Sequence, residues 1–340
     1  MDFRDFWYVV AESRELKPGQ VLARKLMGEW LAVFRDENGK PAAVQDRCKH
    51  RAAQLSLGTV KNGCLSCPYH GWEYDKEGEV VAVPSEGENF KRAKSRRVQN
   101  YSTMEKDDYV YVRLQDGDEA CEEPFAMRHY GEEGWHTVRL INKFQNNVTN
   151  CVENFIDIPH TVYVHPGIFR NERRQKIDVE VSRKDGAVKA IYKNETDNLG
   201  WFSKLLNPGG TEIVHTDEFF MPNVSCVEYI FGPKRHFIIT SQSIPLEDDE
   251  TLVYTDLTYN YGIWNKLAAP IVRWQGQAII NQDIDALANQ MEVIKKYGSK
   301  FANTPADTIH VYVETIQREL ERGKDPRKLP EKCVEVSMLV

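Results

Sequence analysis

Four residues between positions 48 and 70 constrain this chain more than any other part of its sequence. Cys48 and His50 form a C-x-H motif, and Cys67 and His70 form a C-x-x-H motif after sixteen intervening residues. Each motif offers one sulfur and one nitrogen within a turn of the chain, as a metal site requires. Ordinary zinc fingers pair Cys with Cys and His with His, whereas here each motif carries one of each. The mixed order favours a [2Fe–2S] cluster in which two thiolates hold one iron and two imidazoles hold the other.

The second motif lies in the sequence CPYHGW, residues 67–72. This stretch resembles the cluster motif of the Rieske non-haem iron oxygenases, which hydroxylate rings or remove methyl groups. The resemblance implies that the four residues bind a Rieske cluster; the alternatives are a structural zinc site and a chance grouping. Cys64 falls outside the C-x-x-H spacing, and we interpret it as a buried thiol near the cluster.

Short apolar runs separated by turn signals extend from Tyr8 to about Leu114 and predict strands. DENG at 36–39 and DKEG at 75–78 place Gly where a hairpin turn tolerates positive φ. We therefore expect an all-β N-terminal domain with the cluster ligands in its loops. Acids and glycines at 116–133 indicate a connection, so the expected domains are 1–120 and 121–340.

A second group of possible ligands lies in NNVTNCVENFIDIPHTVYVHPG, residues 146–167. On a helix, Glu153, Asp157 and His160 would share one face, because they are spaced i, i+4, i+7. His165 follows five residues later, and two prolines indicate that the helix kinks or ends nearby. The two histidines are therefore predicted to hold one metal ion.

The third ligand is expected in a late helix, IINQDIDALANQMEVI, residues 279–294. Its apolar residues form one stripe at helical spacing. Asp283 lies beside that stripe and Asp285 points roughly opposite. A carboxylate ligand must face the interior, so Asp283 is predicted to complete a 2-His-1-carboxylate site for Fe(II) that leaves positions open for O2.

The sequence ENFIDIPHTVYVHPG resembles the mononuclear iron motif of the same oxygenases, especially the caffeine and dicamba demethylase type, and Gln282-Asp283 resembles their third-ligand sequence. On a helix, Asp157 could also accept a hydrogen bond from the ring of His160. The resemblance implies that Asp157 further bridges to His70 of a neighbouring chain in a ring-shaped homotrimer, with His50 as the second choice. An ordinary helix acid is the alternative.

Two neighbours of these residues, Glu153 and Asn154, are expected near the iron, where either could simply order water. The remaining histidines have no second ligand at metal spacing and are interpreted as structural or surface residues: His129, His136, His215, His236 and His310.

Alternating apolar residues in the rest of the second domain predict strands, with a hairpin at 176–195 and two or three further strands at 227–262. A curved antiparallel sheet against a long C-terminal helix matches the helix-grip fold that the resemblance implies, which makes the fold class α+β. The segment 197–223, with Trp201, is either a lid over the cavity or an ordinary packed loop.

Composition excludes several classes of protein. The net charge of −7 argues against a nucleic-acid binder. The sequence contains no run of about 18 apolar residues, the length that a membrane span requires. The N-terminus lacks the pattern of a secretory signal. The cysteines do not form a regular disulfide framework, which favours a reducing compartment, the cytoplasm.

A one-electron cluster and a mononuclear iron in one chain indicate reductive activation of O2. The sequence has no G-x-G-x-x-G motif and no plant-type ferredoxin motif, so NAD(P)H must be oxidised by a separate reductase, with or without a ferredoxin. We expect hydroxylation or oxidative demethylation of a small aromatic or alkaloid-like substrate. Arene cis-dihydroxylation is the second hypothesis, and an electron carrier without oxygenase activity is the third.

Overall fold

The computed structural model describes residues 1–117, 123–166, 176–193, 213–232 and 235–339. The chain divides into two compact units, Phe3–Ala126 and Met127–Val340. Much of the segment considered as a lid, including Trp201, lies outside the described residues, as does 118–122 of the expected connection. Within the described ranges, no helix combines the length and apolar character that a bilayer span requires.

The first unit is built from antiparallel strands. In chain order these are β1 (Tyr8–Glu12), β2 (Val21–Leu26), β3 (Glu29–Arg35), β4 (Pro41–Gln45), β5 (Thr59–Lys61), β6 (Cys64–Ser66), β7 (Glu73–Tyr74), β8 (Val80–Ala82), β9 (Asn100–Lys106) and β10 (Tyr109–Arg113). One sheet has the order β1-β10-β9-β4-β3-β2 and the other β5-β6-β7-β8. The prediction of an all-β N-terminal domain is confirmed.

Two turns in this unit follow the sequence prediction. Gly39 ends the turn between β3 and β4 at φ 76°, and Gly78 ends the turn between β7 and β8 at the same φ. In the first turn the Asp36 carboxylate accepts hydrogen bonds from the backbone N–H groups of Asn38 and Lys40, each at 2.9 Å. These hairpins fix the strands that flank the cysteine-containing loops, one after β4 and one between β6 and β7.

The second unit is one eight-stranded antiparallel sheet with helices. Its strands are β11 (His136–Phe144), β12 (Lys176–Lys184), β13 (Ala187–Lys193), β14 (Ile213–Phe220), β15 (Val224–Phe231), β16 (Arg235–Glu247), β17 (Glu250–Asn260) and β18 (Lys332–Leu339), in the order β11-β17-β16-β15-β14-β13-β12-β18. Its helices are α1 (Val148–Ile156), α2 (Thr161–Val164), α3 (Asn265–Tyr297) and α4 (Thr308–Glu321). The predicted hairpin between β12 and β13 is confirmed, as is the α+β class with a long C-terminal helix.

A buried asparagine connects α1 to α3. The side chain of Asn146 donates to the carbonyl oxygen of Leu287 at 2.8 Å and to Oε1 of Gln290 at 2.9 Å. Its own oxygen accepts from the side chain of Asn150 at 2.7 Å and from the backbone N–H of Asn147 at 2.8 Å. Because a buried amide is costly unless its groups are paired, this network holds the two helices in a fixed relation.

The long helix α3 lies close to the sheet at one glycine. A Cβ added to Gly276 would lie 2.6 Å from Cδ1 of Leu257 in β17, so the approach leaves no space for a larger residue. Further along the helix, Asp283 is buried and Asp285 is exposed, as the apolar stripe predicted. The inward carboxylate is therefore carried by a helix that packs directly on the sheet.

The prediction that Glu153, Asp157 and His160 share one helix is wrong. Helix α1 ends at Ile156, and Asp157 has an extended backbone with φ −95° and ψ 105°. Pro159 explains the break, because it has no N–H to continue the helical hydrogen bonds and it disfavours helical geometry at the preceding residue. A turn joins α1 to the short α2, and both histidines lie at the ends of α2.

Candidate metal centres

The thiols of the first motif pair are buried, whereas the imidazoles are more accessible. Cys48 is 2% exposed and Cys67 is 4% exposed. The rings of His50 and His70 lie 4.4 Å apart between centroids, and His70 is exposed. The two thiols thus lie beside each other in the interior and the two imidazoles lie beside each other nearer the surface, an arrangement that suits a cluster that exchanges electrons through its histidines.

Hydrogen-bond donors point at both sulfurs. The Tyr74 hydroxyl lies 3.2 Å from Sγ of Cys48 and accepts from the backbone N–H of Lys49 at 3.1 Å; a coordinated Cys48 thiolate has no proton, so the hydroxyl would be the donor to it. Backbone N–H groups of Tyr69 and His70 donate to Cys67 and act to lower the pKa of that thiol, although burial has the larger, raising effect. Such donors stabilise coordinated thiolates.

His50 is held in place without using both of its ring nitrogens. Its ring stacks on Trp72 at 4.9 Å between centroids, and the Arg96 guanidinium lies 5.3 Å from the Trp72 centroid. Nδ1 of His50 is buried and has no hydrogen-bond partner among the described residues. Burial and the neighbouring His70 lower the pKa of His50, which keeps the imidazole in the neutral form that a metal requires. These side chains fit a [2Fe–2S] cluster.

A second convergence of ligand atoms lies in the other unit. Nε2 of His165 is 3.0 Å from Oδ1 of Asp283, and Nε2 of His160 is 3.5 Å from the same oxygen. The three atoms lie within 4.8 Å of one another. His165 and Asp283 are 1% and 4% exposed. The structure thus brings together the three residues that the sequence proposed as ligands, from α2 and α3.

Neighbouring side chains orient both imidazoles. Oε1 of Gln282 lies 2.7 Å from Nδ1 of His165, so Nδ1 carries the proton and the Nε2 lone pair is left for a metal ion. Nδ1 of His160 lies 3.3 Å from Oδ2 of Asp157, although the two groups are not aligned as a hydrogen bond. The expected placement of Asp157 beside His160 is therefore observed, through a turn.

The charges at this site also fit a cation. Burial alone would lower the pKa of His160, but the carboxylates of Asp157 and Asp283 raise it to about 9. Burial alone would raise the pKa of Asp283, but His160 and His165 lower it. Oδ1 of Asp283 is buried and makes no hydrogen bond within the described ranges. A divalent ion that displaces the imidazole proton would satisfy this oxygen, and two nitrogens with one carboxylate are a donor set typical of non-haem Fe(II).

The three ligand candidates open onto a cavity of about 100 Å³. Four polar side chains outside the ligand set line this cavity and are buried: His215, Asp217, Thr255 and Gln275. Most of its wall is apolar, with contributions from Phe155, Ile158, Val227, Tyr229, Phe237, Ile239, Leu257, Val272, Ile279 and Ile280.

Sequence reasoning missed the polar side chains of this cavity. His215 was interpreted as structural, but its Nε2 lies 3.0 Å from Oδ1 of Asp217, whose other oxygen accepts from the Tyr192 hydroxyl at 2.8 Å. Both amide atoms of Gln275 are buried and make no hydrogen bond among the described residues. The alternation of strand residues and the helical wheel could have indicated that these side chains point inward. Neither pattern shows which cavity a side chain reaches.

The two remaining predicted residues lie apart from the ligand atoms. Glu153 contacts His310, with 2.5 Å between Oε2 and Nδ1, and does not line the metal-site cavity. Asn154 lines that cavity and also a second one beside it.

Comparison with known families agrees with this architecture. Residues 6–102 match the model of the Rieske [2Fe-2S] domain. Residues 144–322, more than half of the chain, match the model of the vanillate O-demethylase oxygenase C-terminal domain. The two matched regions contain the two groups of predicted ligands.

Individual relatives extend over most of the chain. Dicamba O-demethylase, oxygenase component, from Stenotrophomonas maltophilia is 28% identical over 94% of this chain and 97% of its own length. Methylxanthine N1-demethylase NdmA from Pseudomonas putida is 31% identical over 57% of this chain and 56% of its own. A crystal structure of dicamba monooxygenase bound to dicamba matches with a TM-score of 0.81 and 25% identity, covering 94% of this chain and 98% of that one. The chain belongs to the Rieske non-haem iron oxygenases, oxidoreductases that incorporate oxygen from O2 with a Rieske [2Fe–2S] cluster and a mononuclear iron.

Proposed function

We propose that this oxygenase hydroxylates or oxidatively demethylates a small, largely apolar organic molecule. The observation that carries the proposal is the convergence of His160, His165 and Asp283 at one end of a mostly apolar cavity. The names of the relatives support demethylation, since one is an O-demethylase and another an N-demethylase. Oxidation of a methyl group on oxygen or nitrogen gives a hemiacetal or a hemiaminal that releases formaldehyde, so both outcomes need the same C–H chemistry.

The metal ligands are assigned on the geometry above. Cys48, His50, Cys67 and His70 would hold the Rieske cluster. His160, His165 and Asp283 would hold the mononuclear iron, which when bound supplies the activation of O2 for attack on the substrate. We accordingly assign residues 1–120 to the domain that binds the cluster and residues 121–340 to the domain that binds the iron and the substrate.

The chain's own side chains bind the substrate and exclude water. The apolar wall favours an aromatic or alkaloid-like body, because burying such a surface removes it from water. The unpartnered amide of Gln275 can donate and accept hydrogen bonds, and the buried pair His215–Asp217 adds a second polar position. A substrate with polar atoms matched to these groups would be held in one orientation, which determines which C–H bond meets the oxidant.

Electrons must reach the mononuclear iron from outside the chain. Enzymes of this family work with separate reductase and ferredoxin components, and we propose that a reductase oxidises NAD(P)H for this one in the cytoplasm. The side chain of Asp157 is 42% exposed while it lies beside His160, so it can contact a second chain. In a homotrimer, that contact would be with His70 of the neighbouring chain, with His50 as the second choice.

The test is a screen for substrate-dependent O2 uptake by the purified protein with a reductase. Candidates are small aromatic and heterocyclic molecules with and without O- or N-methyl groups, and the products are analysed by mass spectrometry with ¹⁸O2. One labelled oxygen in an alcohol, or one formaldehyde per substrate, is the expected result. A cis-diol with two labelled oxygens would identify a dihydroxylating enzyme instead.

Iron content separates an oxygenase from an electron carrier. We expect about three irons per chain, two in the cluster and one at the mononuclear site, whereas a carrier would contain about two.

The electron bridge has its own test, Asp157→Ala. We expect this variant to keep both metal centres and to lose turnover coupled to the reductase. Normal coupled turnover would contradict the assignment of Asp157 as the bridge.

A further inference from the structure

A second group of titratable side chains lies outside the metal ligands, on α1 and α4. Nδ1 of His310 is 2.5 Å from Oε2 of Glu153, and Nε2 of His310 is 3.7 Å from Oε1 of Glu314. The carboxylate of Glu153 is 6% exposed, whereas the side chains of His310 and Glu314 are 25% and 30% exposed. The group therefore runs from solvent to a buried carboxyl, with an imidazole between the two carboxylates.

The buried end of this group opens onto a second cavity of about 150 Å³. That space is large enough for several water molecules, because one water needs roughly 10–15 Å³ measured in this way. Oε1 of Glu153 is buried and makes no hydrogen bond among the described residues, although Glu153 lines the cavity. The second cavity shares wall residues with the cavity at the metal ligands, among them Asn154 and Asp157. The two spaces are therefore adjacent.

We propose that Glu314, His310 and Glu153 form a proton relay that carries protons from solvent, through water in the second cavity, to the oxygen chemistry at the iron. This inference rests on the proposed oxygenase function, whose balance is R–H + O2 + 2e⁻ + 2H⁺ → R–OH + H2O. One C–H bond and the O–O bond break, and a C–O bond and the O–H bonds of alcohol and water form. The reductase supplies the electrons through the cluster, and the two protons come from solvent.

Imidazole chemistry suits the middle position, because His310 can accept a proton at Nε2 while it donates one at Nδ1. The distance of 3.7 Å between Glu314 and Nε2 of His310 is longer than a hydrogen bond. The partly exposed Glu314 side chain can shorten this distance by rotation, and His310 is also in contact with solvent. The short contact with Glu153 is already within transfer distance.

The electrostatic surroundings keep both inner groups ready to exchange protons near neutral pH. Burial raises the pKa of Glu153 to about 7, against the opposing effect of His310. Burial would lower the pKa of His310, but Glu153 raises it. The other charged groups that act on the pair are Asp157 on Glu153, Asp307 on His310, and Glu314 on both, and all of these favour protonation.

The same three residues could in principle bind a cation. The contact of 2.5 Å between His310 and Glu153 argues against this use. Two ligand atoms of one ion stay about 3 Å or more apart, because each lies about 2 Å from the metal. The contact instead fits a short hydrogen bond between the two groups.

The experiment compares wild type with Glu153→Gln, His310→Ala and a matched control, Glu321→Gln, which removes an exposed carboxylate from the same helix. Coupled product formation is measured from pH 5.5 to 9 in H2O and D2O. We expect product formation by the first two variants to fall by about tenfold or more at neutral pH. We also expect a larger solvent isotope effect in those variants and wild-type behaviour in the control.

Two further readouts bear on the roles of these residues: chemical rescue separates proton transfer from a structural role, and infrared spectra locate the proton. Added imidazole should restore turnover of His310→Ala, because a small base can occupy the site of the missing ring, and should leave Glu153→Gln unchanged. Infrared spectra of the holoenzyme should contain a carboxylic-acid C=O band that titrates near neutral pH and is absent in Glu153→Gln. Iron content and reduction of the cluster by dithionite should be the same in all four proteins.

Several results would overturn the relay. If Glu153→Gln formed product at the same rate and with the same pH profile as wild type, the relay would be refuted. The oxygenase function would remain supported, because turnover of the wild-type protein in the same assay reports it. A metal ion beyond the cluster and mononuclear iron that disappears in Glu153→Gln would show that the group binds a cation.

Discussion

The hydroxyl of Tyr74 should tune the reduction potential of the Rieske cluster, and Tyr74→Phe tests this directly. Tyr74 is fully buried, and its hydroxyl lies 3.2 Å from Sγ of Cys48. The backbone N–H of Lys49 donates to the same hydroxyl, and the hydroxyl is the donor to a coordinated thiolate, which has no proton of its own. Reduction adds one negative charge to the cluster, and a donor aimed at a cluster sulfur stabilises the reduced form more than the oxidised form.

The magnitude follows from the strength of one hydrogen bond. A bond to a charged acceptor contributes about 1.5–3 kcal/mol, of which we take roughly half to be gained on reduction, about 1 kcal/mol. For a one-electron reduction, a tenfold change in the equilibrium constant corresponds to about 59 mV. A loss of about 1 kcal/mol therefore lowers the reduction potential of Tyr74→Phe by about 40 mV. The cost to folding should be about 1 kcal/mol, because Lys49 is exposed and its N–H can bond to water instead.

The assay is a redox titration of the purified protein followed by the EPR signal of the reduced cluster. Tyr101→Phe is a matched control, since Tyr101 belongs to the same unit and its hydroxyl interacts with Glu29 rather than with a cysteine. We expect no change of potential in the control. A potential in Tyr74→Phe that is unchanged, higher, or shifted equally in the control would refute the argument from hydrogen bonding.

Three further substitutions test separate parts of the structure. Cys64→Ser should retain the visible absorption of the cluster, because this thiol is outside the ligand spacing; loss of colour would make Cys64 a ligand. Asp283→Asn should lower iron from about three to about two atoms per chain with an unchanged cluster EPR signal, and an unaltered iron count would contradict its role. Asp36→Asn should cost about 1–2 kcal/mol of unfolding free energy at pH 7, measured by urea denaturation, because the buried carboxylate accepts two backbone hydrogen bonds. Burial alone would raise the pKa of Asp36, but Lys76 and the backbone donors lower it. The stabilisation by the Asp36 carboxylate is therefore fully present above its unfolded pKa of about 3.9 and is lost as pH falls through the folded pKa. An unfolding free energy that depends on acid pH equally in wild type and Asp36→Asn would contradict this.

The parts of the structure that the sequence predicted are those encoded by local spacing. The hairpins at Gly39 and Gly78 depend on four-residue turn signals, and the inward position of Asp283 depends on a helical wheel. The contact of Gln282 with His165 joins residues 117 positions apart. No local pattern encodes such a pair, because it exists only when α2 packs against α3. The unpartnered amide of Gln275 is likewise a property of the cavity, and a sequence shows only that the residue is polar.

The break after α1 shows how a wrong local prediction can still identify the right neighbours. A continuous helix would place Asp157 and His160 on one face, but Pro159 ends the hydrogen-bonding pattern and a turn takes its place. The two residues are still three positions apart in a tight turn, so Asp157 remains 3.3 Å from His160. The turn also fixes where the next helix begins. His160 lies at the start of α2 and His165 at its end, and both ring Nε2 atoms reach Oδ1 of Asp283. Residues five positions apart on a continuous helix lie about 140° apart around the axis, whereas His165 leaves the helix with φ −119° and ψ 57°. The metal site therefore depends on two departures from helical geometry, one at Pro159 before α2 and one at His165 at its end.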